Sequence, residues 1–338
     1  HAGHSASRLS RFNEDEFAFL GATDGNAASD YLEALFEQFR RQVGRVPELT
    51  GARLVAGVCN IQADDEVSRI LARVDYSLSQ ASNRGPFSIE RQIAANLDLP
   101  QGKMQWRGWL DTVIDKQRLF LVGQLAISND RIPIQRELFV RARGDGDQVI
   151  PAAVFIPMAA SLGMSLDIDR AVFRLITSAA QLDRRIPLAI NLSAAFFELA
   201  EAQEDFNHLL EHCRQNDMRL CIEASHNALL RSPAMCSQVS ERVRSYGHSF
   251  GIDNLDFGQS LQLLQSGEFD YVKVNARVLH DLVENEMTAS YQALRTLGDT
   301  LDLRIIAVAV DSQQVHDNLR ELGIENMQGN LLGEHEVI

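Results

Sequence analysis

From residue 118 onward the chain repeats one pattern: a short apolar run, a turn, then a stretch with apolar residues three and four apart. Continuous short runs bounded by turn residues predict buried strands, and the wider spacing predicts amphipathic helices packed over them. The runs fall at 118–127, 136–141, 187–192, 219–224, 248–253, 270–275, 303–309 and 326–332. Eight strands alternating with helices predict an α/β fold, a TIM-like (β/α)8 barrel rather than an open sheet. No GxGxxG turn follows the first strand, which argues against a dinucleotide fold.

The first 85 residues follow a different rhythm. Phe17-Ala18-Phe19-Leu20 and Arg53 to Val58 read as strands, and 28–43 and 65–82 as amphipathic helices. Two strands and two helices are few for an independent core, so 1–85 is expected to be the end of a larger α+β domain. Gly85-Pro86 and Pro100-Gln101-Gly102 bracket a linker over 86–103, leaving 104–338 to the barrel.

Composition narrows the function classes. At 45% hydrophobic and 23% charged, the 338 residues are those of an ordinary globular protein. No apolar run approaches the roughly 20 residues that cross a bilayer. The formal charge of −14 argues against direct nucleic-acid binding. Cys59, Cys213, Cys221 and Cys236 show no CxxC pairing, which points to buried thiols in a reducing cytoplasm rather than a zinc site. The chain begins at His1 rather than Met, so it is expected to be part of something longer, compatible with the cytoplasmic portion of an inner-membrane protein.

Polar residues sit near the ends of successive predicted strands: Glu137, Asn191, Glu223, Asp253, Lys273 and Gln328. In a parallel barrel these ends converge on one face, where active sites form. Three carboxylates and an amide are hard oxygen ligands suited to Mg²⁺ or Mn²⁺, and a lysine among them suits a phosphate or a bound water. Any one of these residues alone is most simply a cap or a loop hydrogen-bond partner. Lys273 alone is most simply an ion-pair partner of Glu223 or Asp253. Six on successive strands favour a site.

In this order the residues resemble the EAL cyclic-di-GMP phosphodiesterases. Glu137-Leu138-Phe139 stands at the name motif, and Arg141 at an arginine that contacts the ligand. Asn191-Leu192-Ser193, Glu223, Asp253-Asn254, Asp270 to Lys273 and Gln328-Gly329 match later motifs, and Phe155-Ile156-Pro157 a helix start. The resemblance implies Glu137, Asn191, Glu223 and Asp253 as first-metal ligands. It implies Arg141, Asn191, Asp253, Lys273 and Gln328 as contacts to cyclic di-GMP. The first segment resembles the end of a GGDEF diguanylate cyclase domain through Arg11 to Phe17 and Val74 to Leu78.

The departures are selective. The GGDEF glycines are Asn13 and Glu14, whose side chains should block a nucleotide, and the Arg-x-x-Asp expected at His4 to Ser7 is absent. Asp15 and Glu16 remain, but cyclase activity is not expected. In the barrel the second aspartate of the family's pair is Asn254, and a late glutamate is Val308. His226 replaces the second acid of Glu-x-x-Glu, and Val122-Gly123 replaces a Gln-Pro. Sliding Asp256-Phe257-Gly258 onto the pair instead still leaves one aspartate.

By resemblance the first-metal set stands and the second-metal set is broken. The expectation is therefore one Mg²⁺ or Mn²⁺, with cyclic di-GMP as ligand rather than substrate. Among inactive relatives the chain resembles both LapD-type receptors and CsrD-type regulators. Its expected role is an inactive GGDEF–EAL receptor or protein adaptor, with a homodimer through the EAL barrel as a further expectation, its pairing surface remodelled by the changes at 254–260. The alternative is a weak phosphodiesterase producing pGpG.

Overall fold

The computed structural model describes residues 8–11, 17–21, 25–43, 54–61, 87–92, 100, 102–144, 148–179, 183–255, 264, 269–276, 278–279, 288–333 and 335–338, with single positions from 65 to 81. Calls on His4 to Ser7, Asn13 to Glu16, Asp75-Tyr76 and the 256–260 loop lie outside these residues. The chain divides into two units, 1–96 and 97–338.

In the first unit, strand β1 (Arg8–Arg11) pairs antiparallel with β2 (Phe17–Leu20), and a helix spans Gly25–Val43. Strand β3 (Ala56–Cys59) pairs in parallel with β4 (Ile89–Gln92), so the stretch read as a linker contributes a strand. A Cβ on Gly57 would lie 2.4 Å from the Leu78 nitrogen and 2.5 Å from the Val74 carbonyl oxygen. The helical residues Val74 and Leu78 therefore pack directly on the β3 backbone, an approach only glycine permits.

The second unit begins with a helix, Gly102–Asp115, and then departs from the expected alternation. Strand β5 (Leu119–Ser128) runs straight into β6 (Pro133–Arg143), and the two are antiparallel. The reading of every strand as parallel is corrected here. A parallel pair needs a crossover of a dozen or more residues, and only Asn129 to Ile132 separate these strands. Arg131, in the left-handed region at φ 60°, completes the turn.

From β6 the sheet continues through β7 (Val149–Pro151) on one side. On the other it runs through β8 (Leu188–Leu192), β9 (Leu220–Ser225), β10 (Ser249–Asp253), β11 (Tyr271–Asn275), β12 (Arg304–Val308) and β13 (Asn326–Gln328). Neighbours from β6 through β8 to β13 are parallel, and β13 meets β5 antiparallel, closing an eight-stranded barrel. The last predicted strand, 326–332, is shorter than expected because a turn begins after Gln328. A final strand β14 (Glu336–Val337) lies along β5 at Gly123 and Val122. A Cβ on Gly123 would lie 2.4 Å from Ile338, so the glycine admits this last segment.

Parallel strands are covered on both faces, which is why they read as near-continuous apolar runs. Outward-facing Leu188, Ile190, Leu220, Ile222, Phe250, Ile252, Val272 and Val274 are buried under the helices. The aromatic cluster of Phe173, Phe196 and Phe206 lies in the same layer, with the last two rings 4.9 Å apart. Inward-facing Ala126, Ala189, Cys221, Tyr271 and Ile306 form a separate apolar cluster inside the barrel. Asn191, Glu223 and Lys273, two positions after Ala189, Cys221 and Tyr271, stand directly above this floor.

Candidate functional site

Residues two apart on a strand share a face, so the floor residues fix what comes above them. Asn191 follows Ala189, Glu223 follows Cys221, Lys273 follows Tyr271 and Val308 follows Ile306. On β6 the inward face carries Gln135, Glu137, Phe139, Arg141 and Arg143 in ascending order. On β5 it carries Ala126, Gln124, Val122 and Phe120, paired against them.

The layer is organised around Lys273. Its Nζ lies 2.5 Å from Glu137 Oε2, 2.6 Å from Glu223 Oε1 and 2.8 Å from Glu223 Oε2. All three side chains are buried. Glu137 also accepts from Asn191 Nδ2 at 2.7 Å and from Gln328 Nε2 at 2.8 Å. Glu223 Oε1 accepts from the Tyr271 hydroxyl at 2.8 Å and from Gln135 Nε2 at 3.1 Å. Gln328 Nε2 also reaches Gln124 Oε1 at 3.3 Å, and Gln124 Nε2 donates to the Gly333 carbonyl at 3.1 Å. Gly251 makes room for this arrangement, since a Cβ there would sit 2.4 Å from the Tyr271 ring.

The structure thus brings together Glu137, Asn191, Glu223, Lys273 and Gln328. Asp253 ends β10 beside them and accepts from Asn254 Nδ2 at 3.0 Å. Asn254 is in the left-handed conformation at φ 53°, which asparagine tolerates better than most residues. Arg141 stands higher on β6, half-buried, with its guanidinium 5.7 Å from the Phe139 ring centre and Nη1 donating to the Val140 carbonyl. Phe139 in turn meets the His335 ring at 4.9 Å. Val308 packs against the apolar floor, and Ala309 after it is left-handed at φ 60°. His226 begins a helix capped by Ser225, whose Oγ accepts from the Ala228 nitrogen.

Sequence reasoning missed Gln124, Gln135 and Tyr271. Gln135 and Tyr271 lie two positions before Glu137 and Lys273, so strand alternation was the available signal. It also missed Asp169, on the helix Ser165–Ser178, which accepts from the Ser193 hydroxyl at 2.6 Å and the Ser193 nitrogen at 3.3 Å. That buried carboxylate fixes the end of β8 just past Asn191.

Three carboxylates against one ammonium leave the layer short of positive charge. Burial, with repulsion from Glu137 and Asp253, pushes Glu223 up to about 8 although Lys273 opposes the shift. Burial likewise pushes Asp253 up to about 6, Lys273 opposing and Glu137 adding. Burial alone would lower Lys273, but the surrounding carboxylates, Glu137 first, more than offset it and keep the amine protonated. Among the described residues no three His, Cys, Asp or Glu side chains gather into a ready metal cage. In donor chemistry and charge, Glu137, Asn191, Glu223 and Asp253 nonetheless fit one hard divalent cation. Next to them, Asn254 adds no charge and Val308 no donor atom. Among the described residues Gln135 Oε1 and Gln328 Oε1 are buried without a hydrogen-bond partner, which marks the layer as polar capacity not fully used.

The EAL domain family model matches residues 108–335, two thirds of the chain. The chain belongs to the EAL domain family. The chain is 22% identical over 272 residues to the cyclic di-GMP phosphodiesterase PdeF of Escherichia coli (strain K12), covering 78% of this chain and 35% of the relative. Pseudomonas aeruginosa MucR, a bifunctional diguanylate cyclase and cyclic di-GMP phosphodiesterase, is 24% identical over 343 residues, covering 96% of this chain and 49% of the relative. The chain therefore spans about a third to a half of these relatives' lengths. Among solved structures, the S helix-GGDEF-EAL portion of Vibrio cholerae LapD bound to c-di-GMP superposes with a TM-score of 0.73 at 21% identity. It covers 97% of this chain and 79% of that one, a likeness of fold. Among the described residues no helix is long and apolar enough to cross a membrane.

Proposed function

We propose that this EAL barrel is a receptor for cyclic di-GMP that holds the nucleotide without cleaving it. One observation carries the reading. The buried Lys273 ammonium bridges Glu137 and Glu223, and by resemblance Val308 and Asn254 take the places of the family's remaining acids. The residues that the resemblance implies as ligand contacts, Arg141, Asn191, Asp253, Lys273 and Gln328, are all present. Two-metal hydrolysis depends on a water held and acidified between paired cations, and on a clamp for the leaving oxygen. Glu137, Asn191, Glu223 and Asp253 would hold one Mg²⁺ or Mn²⁺, and the second place is served by an amide and a methyl group. Each lost charge-stabilising contact costs about 3–4 kcal/mol of transition-state stabilisation.

The first unit is, on this reading, the end of a degenerate GGDEF domain that serves as scaffold, its sheet extended by Ile89–Gln92 from the stretch read as linker. The full-length likeness to a GGDEF–EAL structure supports that. Surviving carboxylates favour a second reading, a weak phosphodiesterase producing pGpG.

Calorimetric titration of the chain with cyclic di-GMP tests the receptor reading. Saturable binding that weakens at least tenfold in Arg141→Ala supports it, since a charge-assisted hydrogen bond is worth roughly 1.5–3 kcal/mol. No heat of binding overturns it and leaves a protein adaptor.

A further inference from the structure

The inward face of β6 does not end at Arg141. Strand alternation places Arg143 on the same face one step higher, about 7 Å along the strand. The register against β5 is unbroken from Gln135 to Ala142, the residue before Arg143, with Phe120 opposite Arg141 and Val122 opposite Phe139. The Arg143 guanidinium carbon lies 4.6 Å from the Phe120 ring centre, within cation–π distance. The two arginines are thus each set against an aromatic ring: Arg143 over Phe120 and Arg141 over Phe139.

Arg143 is exposed, and among the described residues it forms no ion pair. The stacked geometry leaves the guanidinium edge, which carries the donors, free of the ring face. In a protein of net charge −14, a pair of aligned arginines above a carboxylate-rich layer is a local reversal of sign. An anion entering the barrel meets it before reaching Glu137.

We propose that Arg143, held over Phe120, is a second phosphate-recognition residue working beside Arg141. It makes the mouth selective for a ligand with two phosphodiester groups over one with a single phosphate. The inference rests on the receptor reading and names which part of the ligand this extra arginine recognises.

The test compares cyclic di-GMP and GMP binding by calorimetry in wild type, Arg143→Gln and Phe120→Leu, with thermal melts as a folding control. Arg143 is exposed, so its replacement should leave the melt unchanged. Arg143→Gln is expected to weaken cyclic di-GMP about tenfold, as loss of one charged hydrogen bond does, and GMP far less. Phe120→Leu should reproduce part of that loss, and the dependence of affinity on salt should become shallower in Arg143→Gln. Wild-type binding that Arg143→Gln leaves unchanged, or weakens equally for both ligands, overturns this inference alone. A wild type that binds no cyclic di-GMP overturns the receptor reading and this inference with it.

Discussion

Lys273 Nζ sits 2.5 Å from Glu137 Oε2 and 2.6 Å from Glu223 Oε1, and all three side chains are buried. The lysine therefore acts as an internal counter-ion for two carboxylates on strands on either side of β8. Removing one partner of a buried ion pair typically costs about 3–5 kcal/mol, because the other charge is left uncompensated. Lys273→Met is expected to lose that much stability at neutral pH in urea unfolding. Adding Glu137→Gln to Lys273→Met should recover part of the loss, and a double variant no more stable than the single would contradict the counter-ion role.

Asp169 gives a pH dependence separable from that cluster. Burial lifts its carboxyl to about 7 from an ordinary 3.8, against the lowering effect of the Ser193 hydrogen bonds and Arg170. A carboxyl with a raised folded pKa binds its proton more tightly when folded. Its contribution to stability is present below about pH 4 and is lost as pH rises toward 7. Glu223 and Asp253, also raised, act in the same direction. Denaturation midpoints of the wild type should therefore fall between pH 5 and 8, as these groups ionise. Asp169→Asn, which can still accept from Ser193, should show a shallower fall, and an identical slope would remove Asp169 from the account.

Ala309 lies at φ 60°, where a Cβ is strained. Left-handed backbone costs a non-glycine residue about 1–2 kcal/mol, partly offset by the greater freedom glycine has when unfolded. Ala309→Gly should raise stability by roughly 0.5–1 kcal/mol in chemical denaturation. A destabilised variant would show that Ala309 contributes packing that outweighs its backbone strain.

The proposed deficit at the second-metal side has a constructive test. Asn254→Asp with Val308→Glu returns two acids to the places where, by resemblance, the family carries them. Manganese-dependent conversion of cyclic di-GMP to pGpG is expected to rise at least about 100-fold over the parent chain. Unchanged turnover in a folded double variant would place the block elsewhere.

The motifs were legible because each is a polar residue interrupting an apolar strand, and that contrast survives without any structure. Glu137, Asn191, Glu223, Lys273 and Gln328 were found this way. Strand direction was harder to read. The β5 run is as apolar as its parallel neighbours, and only the four residues before Pro133 betray a hairpin rather than a crossover. Gln135 and Tyr271 were overlooked because attention rested on strand ends, although their side chains share a face with Glu137 and Lys273. Arg143 is invisible to motif reading, because its relation to Phe120 comes from pairing between strands.

Whether the barrel cuts what it holds is decided by following one sample in two ways. Cyclic di-GMP bound to the wild-type chain in Mn²⁺ is measured by calorimetry and then chromatographed for pGpG. The account predicts saturable binding with the nucleotide recovered intact. Release of pGpG that disappears in Glu137→Ala would contradict it.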